Sequence, residues 1–186
     1  VVPAARYKTI KEMVDFAKAN PGKLTYASGG VGASTHLNAE LLGLSAGFKA
    51  VHVPFRGAPD ALREIVGNRL DFYFSPLASA LPVIQAGEVR ALAVSSLKRS
   101  QYLPDVPTTL EAGYPKSDYL FWLGVFAPKG TPQPILDRLY AEIVKAMAEP
   151  GVKSVLAKQG ADPMPLDPKA FDAFLHAELK VNAEIV

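Results

Sequence analysis

Apolar residues at Ile10, Met13, Val14 and Ala17 recur with the spacing of one helical face, and Thr9 with Glu12 forms a T-x-x-E capping box ahead of them. Asn20-Pro21-Gly22 ends that helix. Leu24 to Ala27 then predicts a short strand, a glycine turn follows, and Leu37, Leu41 and Leu42 mark a helix closing near Gly47. In KAVHVPF the alternation of Val51, Val53 and Phe55 predicts a second strand, stopped by Pro54 and the turn residues Arg56-Gly57. Leu62, Ile65 and Val66 predict the next helix, with Gly67-Asn68 as its stop. Asp71 to Phe74 reads as a third strand, PLASALPVIQAGE as a proline-interrupted helix and VRALAV as a fourth strand.

Strands that alternate with helices, and are too short to turn back as hairpins, predict an α/β fold with a mainly parallel sheet covered on both sides. The proline-rich stretch from Leu103 to Pro115 predicts an irregular linker. Beyond it, YLFWLGVFAP reads as an apolar strand over Tyr119 to Phe126, and Thr131-Pro132 as a helix cap with proline at the first helical position. Ile135, Leu136, Leu139, Ile143, Val144 and Met147 trace that helix to Pro150-Gly151. A short helix then runs to about Gln159, and Asp167-Pro168 caps a last one carrying Phe171, Phe174, Leu175 and Leu179. These tail stripes need a sheet to cover, yet only one strand accompanies them. Either they pack on the first sheet or they belong to a second lobe.

Composition narrows the classes. Of 186 residues, 49% are apolar and 20% charged, the balance of a globular protein able to bury roughly 70% of its unfolded surface. No apolar run reaches the ~18 residues of a membrane span, and the opening VVPAARYKTIKE lacks the basic-then-apolar order of a signal peptide. The absence of cysteine excludes disulfides, thiolate nucleophiles and cysteine-ligated zinc. Lys and Arg outnumber Asp and Glu by only 20 to 18, with no basic run, so no nucleic-acid partner is expected.

Ser28-Gly29-Gly30-Val31-Gly32-Ala33-Ser34 lies between a predicted strand and a predicted helix, where free backbone N–H groups and the helix dipole suit a phosphate or carboxylate. The same glycines also suit a purely structural turn, with Ser34 or Thr35 as N-cap, and the two roles can coexist. The spacing is neither G-x-G-x-x-G nor a P-loop, so no nucleotide cofactor is expected. A G-x-S-x-G elbow is absent around Ser28 and Ser34, and His36, His52 and His176 lack ligand spacing, so neither a serine hydrolase nor a metal site is predicted. His36 is expected to cap or pack within the first helical turn. Arg56 follows a strand end, where it is either solvated or a bidentate partner for a carboxylate. Phe55 and Tyr73 read as core aromatics or as stacking surfaces for a ligand ring. Ser75 and Pro76 stand at the carboxyl end of a predicted strand, where open α/β sheets bind ligands. Trp122 reads as filler for a lobe interface.

In order, YASGGVGASTHLNAELL, VHVPFRGAPDAL, SALPVIQAGEVRALAVSS, LPDVPTTLEAGYP and FWLGVFAPKGTP resemble the substrate-binding proteins of tripartite tricarboxylate transporters, the Bug family. The resemblance extends over essentially the whole chain. It implies a two-lobed periplasmic binding protein fold of type II, with no enzymatic activity and no cofactor, that captures a small organic carboxylate in the periplasm and delivers it to membrane permease subunits. A monomer is implied for the full-length receptor. On this resemblance residues 1–118 form the second ligand-binding lobe. Residues 119–186 form the return crossover and C-terminal helices of an incomplete first lobe, with signal peptide and earlier first-lobe strands lying upstream of residue 1. The family's glycine-serine loop falls on Ser28, Gly29, Gly32, Ala33, Ser34 and Thr35, and a recurrent family histidine on His36. Pro54, Phe55, Arg56 and Gly57 stand where the family usually shows V-P-Y-K-G-G. Ser75, beside Pro76, replaces an acidic residue that many members carry, which implies an organic acid rather than an amino acid as ligand. An effector-sensing domain of a transcription regulator shares the architecture and is the alternative; a hydrolase or transferase on an α/β sheet is a third, disfavoured class.

Overall fold

The computed structural model describes residues 1–185. Its first compact unit, Val1–Phe121, carries all five strands; a second begins at Trp122. In order, the first unit contains β1 (Val2–Pro3), α1 (Ile10–Ala19), β2 (Thr25–Ser28), α2 (Ser34–Ala46), β3 (Val51–Pro54), α3 (Ala58–Val66), β4 (Phe72–Tyr73), α4 (Leu77–Gln85) and β5 (Val89–Arg90).

Helix α1 forms as its sequence directs. Thr9 Oγ1 accepts from the Glu12 amide at 3.1 Å, and Glu12 returns a carboxylate oxygen to the Lys8 amide at 2.7 Å. Its buried face is Ile10, Met13, Val14 and Ala17.

The central strand is β2, which pairs in parallel with β3 on one side and with β4 on the other. Strand alternation divides its side chains between two cores. Tyr26 joins a cluster with Ile10, Met13, Val14, Leu24 and Leu42, beneath α1 and α2. Ala27 points the other way, into Ala61, Leu62, Ile65, Leu70 and Tyr73 around α3. Each fully buried Leu or Ile here contributes about 1.5–3 kcal/mol. A central strand covered on both faces has a fixed register, because a one-residue slip would exchange the two cores.

Two strand expectations are corrected. VRALAV forms a ladder only over Val89–Arg90, antiparallel to β1, and Val94 makes an isolated parallel bridge to Thr108. Because β1 offers just two residues, the rest of the segment has no ladder to join. Residues 119–126 form no strand either: Tyr119 donates its amide to the Ser95 carbonyl at 2.7 Å, and the residues after it find no ladder partner among the described residues. The second unit holds α5 (Gln133–Ala148), α6 (Pro150–Lys158) and α7 (Pro168–Ile185). Pro132, rather than Thr131, occupies the N-cap of α5. Asp167 Oδ1 caps α7 by accepting from the Ala170 amide at 2.7 Å. Trp122 donates to Glu178 at 3.0 Å and meets the edges of Phe171 and Phe174.

At the amino ends of β2 and β4, buried Asp71 ties the sheet to the chain start. It accepts from the Thr25 amide at 2.8 Å, from the Thr25 hydroxyl at 2.7 Å and from Tyr7 at 3.3 Å, and it pairs with Arg6. A buried carboxylate is tolerated only with such partners. Asp71→Ala strands the Thr25 amide and hydroxyl, while the exposed Arg6 cation is left to water, and should lower stability by about 1–3 kcal/mol. Urea unfolding followed by circular dichroism measures the loss.

Candidate functional site

Parallel pairing brings three strand ends together. In the register, Ser28 faces Pro54 across β3 and Ala27 faces Tyr73 across β4, so the chain leaves all three strands on one edge and enters α2, α3 and α4. Open α/β sheets bind ligands outside their carboxyl ends, where helix N-termini present unpaired amides.

The β2–α2 loop and the β3–α3 loop touch. The Phe55 amide donates to the Ser28 carbonyl at 3.0 Å. A Cβ placed on Gly29 would lie 3.7 Å from the Gly57 Cα, and one on Gly30 would lie 3.7 Å from the Phe55 carbonyl oxygen. Gly30 and Gly57 hold φ of 137° and 138°, a region that side-chain-bearing residues rarely enter. The sequence-derived groups at 28–36 and 54–57 therefore sit side by side. Ser75 and Pro76 follow β4 at the same edge, with the Ser75 hydroxyl turned to the Pro76 carbonyl at 3.2 Å. Pro54 and Arg56 are exposed, and Arg56 makes no ion pair among the described residues.

Hydrogen-bond accounting shows which amides are available. Gly29 donates to Thr35 Oγ1 at 2.9 Å, Gly30 to Ser28 Oγ at 3.1 Å, Gly32 to His36 Nδ1 at 3.2 Å and Ala33 to the Gly30 carbonyl at 3.2 Å. Those four amides are spent on the loop's own shape. Among the described residues no partner takes the amides of Val31, Ser34 and Thr35, which leaves them for an incoming acceptor. The expected N-cap is corrected too. Ala33 occupies that position with no side-chain cap, while Ser34 and Thr35 are the first helical residues. Thr35 is drawn off by the Gly29 amide, a partner six residues back.

Beneath the loop lies a group of side chains that sequence reasoning did not assemble. His52 Nε2 stands 2.6 Å from Ser28 Oγ, and the rings of His36 and His52 stack at 4.1 Å. Tyr26 stacks on His52 at 4.8 Å and donates its hydroxyl to Glu40. Burial first, and the neighbouring His36 second, lower the pKa of His52, against an opposing pull from Glu40. Burial and then Glu40 push the Tyr26 phenol far up, so it stays a neutral donor. Tyr73, fully buried, has its phenol raised to about 12 by desolvation, with Thr35 opposing. One signal could have placed His52: it alternates with Val51 and Val53, so it shares the opposite strand face with Pro54, the partner of Ser28. The Ser28–His52 spacing resembles that of a nucleophile and its base. However, Ser28 is 0% exposed and its hydroxyl is already engaged at Gly30, which suits bracing rather than attack.

The comparisons with known proteins agree with this architecture. The family model for the tripartite tricarboxylate transporter family receptor matches residues 1–186. A UPF0065 protein from the tcbD-tcbE intergenic region of Pseudomonas sp. (strain P51) is 46% identical over 162 residues, covering 86% of this chain and 48% of its own length. BugT of Bordetella pertussis is 31% identical over 184 residues, 99% of this chain and 56% of that protein. Thus the chain spans about half the length of these relatives. Among solved structures, MatC from Rhodopseudomonas palustris with bound malate superposes with a TM-score of 0.90 at 27% identity, over 99% of this chain and 64% of that one. R. palustris Rpa4515 with adipate gives 0.88 at 28%, over 97% and 60%, and the periplasmic binding protein BugD gives 0.88 at 30%, over 98% and 62%. The fold is that of periplasmic binding proteins, type II-like.

Thr35→Val keeps the shape of the side chain and removes the acceptor of the half-buried Gly29 amide. It should cost about 1–2 kcal/mol of stability, most of it restored by Thr35→Ser, in paired urea titrations.

Proposed function

The chain belongs to the tripartite tricarboxylate transporter receptor family, and from that premise we propose that it is a non-enzymatic periplasmic receptor that captures a small organic carboxylate for the permease subunits of such a transporter. The observation that carries this reading is the run of unclaimed amides at Val31, Ser34 and Thr35, at the start of a 13-residue helix and beside the loop at Phe55 and Gly57. Amides and a helix dipole favour an anion, and glycines let it reach the backbone. Ser28, Gly29, Gly32, Ala33 and His36 shape the cradle. Pro54, Phe55, Arg56 and Gly57 flank it, and Ser75 with Pro76 closes the third side. Residues 1–118 make up the second lobe of the receptor, and residues 119–186 the return crossover and C-terminal helices of the first. Malate and adipate in the related structures support a dicarboxylate as the ligand class.

Ser75 supports the narrower choice of an organic acid over an amino acid. A hydroxyl offers no counter-charge to an ammonium group, whereas a carboxylate there would. Calorimetry on the full-length gene product, with malate and adipate set against aspartate and glutamate, should find an organic acid to be the tightest ligand. Ser75→Asp should weaken that ligand about tenfold through like-charge repulsion. An amino acid binding most tightly to the unaltered protein would refute the choice.

A further inference from the structure

The loop rests on two half-buried histidines. Ser28 Oγ lies 3.1 Å from both the amide nitrogen and the carbonyl oxygen of Gly30, and His52 Nε2 holds that hydroxyl at 2.6 Å. His36 Nδ1 accepts from the Gly32 amide at 3.2 Å. The two imidazoles therefore grip the loop at Gly30 and at Gly32, on either side of the unclaimed Val31 amide. They also grip each other, with ring planes 13° apart and centroids 4.1 Å apart. Tyr26 extends the stack, 4.8 Å from His52 and 6.2 Å from His36.

We propose that His36 and His52 are positioning residues for the carboxylate loop, a stacked pair that holds the loop amides in place only while both rings are neutral. The geometry calls for a neutral His36 and for at most one charge on the pair. A ring nitrogen that accepts from Gly32 cannot itself carry a proton. Two parallel imidazolium rings in van der Waals contact would repel each other in a partly buried setting. The ionisable neighbours packed against the pair are Tyr26 from β2 and Glu40 from α2. Tyr26 stays neutral, and Glu40, though it favours a charge on His52, is already engaged by the Tyr26 hydroxyl. Burial and His36 outweigh it, and the pKa of His52 is lowered.

The sign follows by linkage. A base whose pKa is lowered in the folded state contributes order that is fully present above its ordinary value of 6.5 and is lost as the pH falls through the lower, folded value. Loop order, and with it carboxylate affinity, declines on mild acidification. An imidazolium acting instead as a direct anion partner would produce the opposite slope.

This proposal rests on the receptor reading for the purpose of the loop, so its test has one arm without ligand. Amide hydrogen exchange at Gly30 and Gly32, corrected for intrinsic rates, is measured from pH 8 to pH 5.5 in the full chain. Protection should fall about tenfold, the scale of one charge-sensitive hydrogen bond. In the double variant His36→Asn and His52→Gln, the amide side chains supply an acceptor for Gly32 and a hydrogen-bond partner for Ser28 Oγ without titrating, and the profile should be flat. A second arm follows malate and adipate binding over the same range. Protection that does not change with pH, a slope that persists in the double variant, or binding that tightens on acidification would each overturn the proposal. If the exchange profile behaves as expected and neither acid binds, the brace stands and the carboxylate reading of the loop fails.

Discussion

The parallel register of β2 between β3 and β4 is the constraint from which the site follows. Parallel neighbours must leave the sheet on the same edge, so the register that sets Ser28 against Pro54 and Ala27 against Tyr73 also brings together three loops from separate parts of the chain. Two cores hold that register. With Tyr26 packed beneath α1 and α2 and Ala27 beneath α3, a shift by one residue would place a phenol where only a methyl group fits. Asp71 secures the far edge, and its four donors come from β2, from the chain preceding α1 and from Arg6.

Within that frame, on the proposed reading, the glycine loop divides its amides between two tasks. A loop that left every N–H free would have no fixed shape, and one that satisfied all of them would have nothing to offer an anion. Here the polar side chains of Ser28, Thr35 and His36 take three amides and a carbonyl takes a fourth, which fixes the loop. The serine and threonine that read as ligand hydroxyls in the sequence are thus also the scaffold that orients the remaining backbone donors. Such preorganisation removes part of the ordering entropy from the binding step.

Local signals made much of this legible. The capping box at Thr9, the apolar face of α1, that of α3 at Leu62 and Ile65 though not at exposed Val66, the stops at Gly47 and Gly67, and the Asp167 cap are contained in short windows and stand in the structure. What depended on distant partners was less visible. Tyr119 to Phe126 has the composition of a strand, but a strand exists only by a ladder, and beyond the Tyr119 amide bond to Ser95 none forms among the described residues. VRALAV fails for the same reason beyond Arg90. Thr35 misses its capping role because the Gly29 amide competes for its hydroxyl. His52 carried no motif, and only the strand register reveals that it meets Ser28.

A cradle of dipoles differs in kind from one built on arginine or lysine. Each charge-assisted hydrogen bond from a backbone amide contributes about 1.5–3 kcal/mol, and each helix terminus about 0.3–1 kcal/mol, against several kcal/mol for immobilising a small ligand. The balance is modest, which is what the proposed receptor role, with its need to release the ligand, would require. Arg56, the nearest cation in the flanking loop, is exposed and free of ion pairs among the described residues, so water screens it. Discrimination must then come from shape and from what the third loop presents. On the proposed reading, a serine at position 75 leaves the cradle without a fixed negative charge to repel a second carboxylate, and that is what would favour a doubly charged ligand.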